Sequence, residues 1–255
     1  MSRVVSVGNQ DFASIREKNC FYIDKTAFIK EWWENADTVT LITRPRRFGK
    51  TLTMSMMDYF WNNQHEDKKE LFEGLAIWNE EKYRELQGTY PVLYLSFAGV
   101  KENSYEAVRK QICMLIEDLY NNNVFLLDSD IMTPIEKDFF RNVNENMDNT
   151  TAAMSLIRLS KYLSLYHGKK VLIFLDEYDT PMQEAYLNGF WDEMVAFIRN
   201  LFNNTFKTNT HTVFFSFLCL SLLFLHFCIH YFNIYNLFIC IFRMFCDNLA
   251  YFFYI

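Results

Sequence analysis

The sequence predicts an α/β layered domain. It reads as a parallel sheet flanked by helices, incomplete on its C-terminal side and followed by an apolar, mostly helical tail. Three observations carry this reading. A β-branched, alternating run, Thr38-Val39-Thr40-Leu41-Ile42-Thr43, passes directly into a loop ending Gly49-Lys50-Thr51. A second run, Lys170-Val171-Leu172-Ile173-Phe174-Leu175, has no polar residue after its first position and ends in Asp176-Glu177-Tyr178-Asp179, the pattern of a strand buried on both faces of a parallel sheet. Long helical patterns alternate with the strands, which is the order of a layered α/β domain.

Taken in order, the first strand lies over residues 38–43 and gives way to loop at Arg44-Pro45-Arg46-Arg47-Phe48-Gly49-Lys50-Thr51. Leu52, Met54, Met56, Met57, Tyr59 and Phe60 then suit a helix that starts at the loop and buries most of its circumference. Tyr90 to Phe97, bounded by Gly88 and Gly99, reads as a second buried strand. Val108, Ile112, Leu115, Ile116 and Leu119 put a covering helix over Ser104 to Tyr120. Thr133-Pro134-Ile135-Glu136 is a helix start, with Thr as N-cap, Pro in the first turn and Glu placed to complete a capping box. Met154 to Tyr166 is amphipathic and stops at Gly168. No repeat or low-complexity linker interrupts residues 1 to about 210, which read as one domain, with 211–255 as a separate tail.

Composition divides at the same place. The chain has 255 residues and a formal charge of −6, and only Arg243 and Asp247 are charged in residues 213–255. The tail holds 11 of the 26 Phe and 4 of the 6 Cys, whereas every Gly and Pro precedes it, so the head has an ordinary folded composition. Its acidity argues against generic nucleic-acid coating, which needs a basic surplus. Cys20 and Cys113 are too few for a disulfide framework, and Met1 to Phe12 has no apolar run of signal-peptide length. A cytoplasmic head is the expectation.

Strand, Gly-Lys-Thr loop, helix is the order that a phosphate-binding loop requires. Backbone N–H groups and a helix N-terminus converge there on an anion, a Lys reaches the outer phosphates, and the hydroxyl ligates magnesium. Lys50 and Thr51 fit those roles within a binding stretch from Arg46, Arg47 and Phe48 through Gly49 to Leu52. The usual early Gly of such a loop is replaced by Arg44. Asp176, at the end of the second buried strand, is the companion that holds the magnesium shell, and Glu177 is placed to polarise an attacking water. The bland alternative makes both acids solvated strand-end carboxylates. Arg46 and Arg47 have two open readings, as forks for phosphate charge or as structural partners of nearby acids.

Four stretches resemble the AAA-ATPase-like family of predicted P-loop ATPases. They are Phe21-Tyr22-Ile23-Asp24-Lys25-Thr26, the Ile42 to Leu52 stretch, Leu71-Phe72-Glu73-Gly74-Leu75-Ala76-Ile77, and Leu175-Asp176-Glu177-Tyr178-Asp179-Thr180-Pro181. The resemblance covers about residues 8 to 209. It implies a P-loop NTPase-like sheet, ATP and Mg2+ as ligands, and ATP hydrolysis in intact relatives. In that family the loop itself lacks the early Gly. Members often continue into a nuclease-like domain, which implies a DNA-linked role by association alone. Related ATPases often place nucleotide-base contacts near the position of Asp24-Lys25-Thr26, where an N-cap role for Asp24 is the structural alternative.

After Asn209 the resemblance is expected to stop, with the family's next strand and its Thr-Gly-x-x-Arg signature missing. That strand normally lies between the phosphate-loop strand and the Asp-Glu strand, so its loss would leave unpaired backbone inside the sheet. Val213 to Phe217 could fill the slot by apolar character, but without a sensor-type polar residue. Residues 213–242 carry no formal charge, longer than the ~20 residues that cross a bilayer. Three readings of the tail stay open: a membrane helix, a frameshifted or non-coding stretch suggested by its Phe, Ile, Leu, Tyr and Asn content, and a buried continuation of the core. The first would associate the protein with a membrane. An alternative to turnover accompanies the missing strand: a non-hydrolysing nucleotide-binding or membrane-anchored remnant.

Overall fold

The computed structural model describes residues 4–36, 39–45, 48–206, 209 and 211–220. Among these, four parallel strands form one sheet in the order β1-β4-β3-β2, with β1 at Val39–Pro45, β2 at Val92–Ser96, β3 at Val171–Asp176 and β4 at Thr212–Leu220. Helices α1 (Phe12–Glu17), α2 (Ala27–Asn35), α3 (Lys50–Trp61) and α4 (Glu81–Leu86) precede β2. Helices α5 (Tyr105–Asn121), α6 (Pro134–Asn142) and α7 (Asn149–His167) lie between β2 and β3, and α8 (Thr180–Asn188) and α9 (Trp191–Phe206) between β3 and β4.

The alternation of a strand's side chains sorts the core into two layers. Leu93, Leu95, Val171, Ile173 and Leu175 face the cluster built from α5, α7, α8 and α9. Val92, Leu172 and Phe174 face the opposite cluster of Met54, Phe60 and Trp61 from α3 with Phe12 and Ile29 from the N-terminal helices. All six residues of β3 are buried, as its unbroken apolar run requires. Asp176 continues the alternation of Leu172 and Phe174 and is therefore directed to the α3 side.

The local signals act as their chemistry dictates. Ser104 caps α5 by accepting from the Ala107 N–H, and Thr133 and Glu136 complete a reciprocal capping box at α6. Helix α7 ends at Gly168, whose left-handed backbone (φ 64°) stops it. It starts before the expected Met154, because Asp148 accepts from the N–H groups of both Thr150 and Thr151.

Two expectations about the C-terminal side are corrected. The sheet has no gap: β4 pairs in parallel with β1 from Val39↔Phe214 to Pro45↔Leu220, and with β3 from Val171↔Thr212 to Asp176↔Phe217. The apolar run 213–217 takes the slot because the facing edges of β1 and β3 leave their backbone groups unsatisfied without a strand between them. The folded unit consequently runs to at least Leu220, past the boundary drawn near residue 210. Residues 213–220 are strand rather than the start of a membrane helix, and no helix among the described residues is long and apolar enough to cross a bilayer. The remainder of the uncharged stretch, 221–242, and the rest of the tail lie outside the described residues, as do Arg46 and Arg47.

Candidate functional site

The site is built where β1 and β3 end. Gly49 adopts a left-handed conformation (φ 73°) that L side chains rarely take, and this lets the chain leave the loop and enter α3 at Lys50 without strain. Its carbonyl accepts from the N–H and the hydroxyl of Thr53, at 2.9 and 2.8 Å, which closes the first turn. The leading N–H groups of α3 have no intrahelical acceptor, so its first turn offers donors and a positive dipole end to an anion. Lys50 is buried, Leu52 half-buried and Phe48 exposed.

Across from this turn, Asp176 is 1% exposed, and neither carboxylate oxygen has a hydrogen-bond partner of ordinary geometry. Burial pushes its carboxyl up to about 6. The Thr51 hydroxyl and the Lys50 ammonium oppose that rise and the Glu177 charge adds to it, so all three stand close to the acid. Burial, and then the charges of Asp176, Asp58 and Glu177, also push the Tyr94 hydroxyl well above its ordinary value. Glu177 holds a left-handed backbone (φ 50°), unusual for a residue with a side chain. Its carbonyl accepts from the Thr180 N–H, which tightens the turn into α8. Strain of this kind persists where surrounding structure holds a side chain in a set direction.

A cleft of about 790 Å³ opens over the loop, lined by Gly49 to Leu52 and Glu177. The structure therefore brings Gly49, Lys50, Thr51, Leu52 and Glu177 together, with Asp176 buried close to Thr51, Lys50 and Glu177 but not lining the cleft. Phe48 is not among the lining residues.

Val7 to Gln10, Lys101 and Gln183 also line the cleft and carried no motif, and Thr180 lines it from within the Leu175 to Pro181 stretch without having been named as a site residue. Lys101 could have been found from the rule that ligands of open α/β sheets sit beyond the carboxyl ends of strands, since it follows β2. The N-terminal segment reaches the cleft only through tertiary contacts, the Phe12 N–H donating to the Ser55 hydroxyl on α3 at 3.0 Å.

Asp24 is structural. It accepts from the N–H and hydroxyl of Thr26 at 2.8 and 2.7 Å and from the Ala76 N–H at 2.7 Å, while buried Thr26 accepts from the Ile77 N–H at 3.2 Å. Arg16 adds bonds to the Leu71 and Glu73 carbonyls. Two of the sequence stretches noted above are thus tied to each other.

A hydroxyl on a donor-rich helix turn with a buried carboxylate close by can receive an anion and a cation together. The family model described as predicted AAA-ATPase matches residues 6–220, and the chain belongs to this AAA-ATPase-like family. The match extends through β4, beyond the point near Asn209 where the resemblance was expected to stop. A relative from Azotobacter chroococcum mcd 1, the "Uncharacterized protein in vnfD 5'region", is 27% identical over 178 residues. The alignment covers 69% of this chain, which spans only 29% of the length of that relative. No solved structure matches the chain.

Proposed function

We propose that this domain binds Mg-ATP in the cleft over Gly49 to Leu52 and hydrolyses it. The observation that carries the reading is Asp176: a carboxylate 1% exposed, with no hydrogen bond of ordinary geometry at either oxygen, set beside Thr51 and Lys50. Such a group calls for a cation. Among the described residues no three His, Cys, Asp or Glu gather as a chelating cluster, so the donor set is one carboxylate and one hydroxyl. Hard oxygens with positions left for water and phosphate suit magnesium.

In this reading Thr51 and Asp176 hold the ion, and Arg46 to Leu52 cradle the phosphates with Lys50 on their outer oxygens. When bound, magnesium neutralises phosphate charge and polarises the outer phosphoryl group. Lys50 adds a positive charge that stays put as charge moves toward the leaving oxygen. Glu177, fixed by its left-handed turn at the cleft wall, orients the attacking water and accepts its proton.

A binding-only role is the second reading. Its main support, an open sheet, is removed by β4, but the residue in register with Asp176 on that strand is the apolar Phe217. Titration with Mg-ATP and a phosphate-release assay separate the two. Hydrolysis requires that the parent release phosphate and that Glu177→Gln bind ATP without releasing it. Binding without release by the parent supports the second reading, and absence of binding refutes both.

A further inference from the structure

The first turn of α3 has a second lysine above it. An added Cβ at Gly49 would lie 3.5 Å from the Lys25 Nζ, so that ammonium stands directly over the turn that precedes Lys50. Lys25 belongs to the Phe21 to Thr26 stretch, in which Asp24 and Thr26 are spent on holding residues 76 and 77. The Lys25 carbonyl accepts from the Phe28 N–H at 3.0 Å, which fixes the backbone beneath the side chain at the start of α2. The side chain itself is exposed and forms no ion pair with a carboxylate among the described residues.

Electrostatically this placement is unfavourable by itself. An ammonium is held against the positive end of a twelve-residue helix, close to a second lysine at that helix's first position. An anion of high charge density lying on the turn converts the repulsion into attraction. The buried Asp176, with no hydrogen bond of ordinary geometry at either carboxylate oxygen, lies close to Lys50 and Thr51 of the same turn and independently marks the place as a ligand site. We infer that Lys25 is a second phosphate-binding lysine, which contacts the nucleotide's phosphate chain from the α2 side. It acts on phosphates, whereas its sequence position had suggested contact with the base.

The inference rests on the nucleotide reading above, and the test keeps the two apart. ATP and ADP are titrated into the full chain and its Lys25→Gln and Lys25→Arg variants at low and high salt. Loss of one charge-assisted phosphate contact should weaken ATP by about tenfold in Lys25→Gln, and Lys25→Arg should recover most of it. Raising salt from about 50 to about 300 mM should weaken ATP less in Lys25→Gln than in the parent, because one screened charge pair is gone. The melting temperature of Lys25→Gln without nucleotide should stay at or slightly above that of the parent, since the side chain is exposed and losing its charge relieves the repulsion at the helix end. Parent-like ATP affinity in Lys25→Gln, or a loss that Arg does not rescue and that follows a fall in melting temperature, overturns the role of Lys25 alone. A parent that binds no nucleotide overturns the functional reading and this inference with it.

Discussion

Replacing Asp176 by Asn should stabilise the nucleotide-free protein while removing its use of magnesium. In the folded chain the carboxyl sits at about 6, raised from 3.8 chiefly by burial. The folded state therefore holds the proton more tightly than the unfolded chain does. The cost of keeping the acid ionised appears as pH rises through about 4 and is complete above about 6. A rise of that size corresponds to about 3 kcal/mol. Asn keeps the shape without the charge, but its own buried amide finds no ready partner and gives back about 1 kcal/mol. The net gain of about 2 kcal/mol amounts to roughly 4 to 8 °C in Tm for a domain of this size. Thermal unfolding with a metal chelator at about pH 8 reads it, and the difference should narrow near pH 4, where the parent's acid is protonated. Magnesium should strengthen ATP binding by the parent and not by the variant. An Asp176→Asn protein that melts below the parent at pH 8 without metal would show that the carboxylate already has its partners, and would remove the main support for the magnesium site.

Two further outcomes follow from the fold. Asp24 ties two distant segments together, and although burial raises its carboxyl, the bonds from Thr26 and Ala76 and the Arg16 charge hold it below its ordinary 3.8. Asp24→Ala should cost about 1 to 2 kcal/mol in urea unfolding at neutral pH, with the gap to the parent closing as pH falls below about 4; a constant gap across that range would contradict the assignment. A chain ending at Asn209 loses β4 and leaves β1 and β3 unpaired, so it should be less soluble and more readily proteolysed than one ending at Leu220. Phe215→Pro, which removes an N–H in the middle of that strand, should cost about 3 kcal/mol or more, and equal protease resistance in all three chains would show that β4 is dispensable.

The elements of this protein were legible wherever chemistry is local. The alternating run before the loop, the apolar run ending at Asp176, the Thr133-Glu136 capping box and the Gly168 stop each depend on residues a few positions apart, and each forms as the sequence indicates. The positions of Lys50 and Thr51 at the start of α3, and of Asp176 and Glu177 at the end of β3, were legible for the same reason, because a helix N-terminus and a strand end dictate which side chains stand at their tips. Tertiary structure decided the rest. Residues 213–220 are apolar enough for a membrane helix or a buried strand, and only the two unfilled backbone edges of β1 and β3 select the strand. Asp24 looked like a cap or a ligand until Ala76, 52 positions away, took its second oxygen. Lys25 acquires a role only because α2 is docked so that its ammonium lies over Gly49, a proximity that no spacing along the chain encodes.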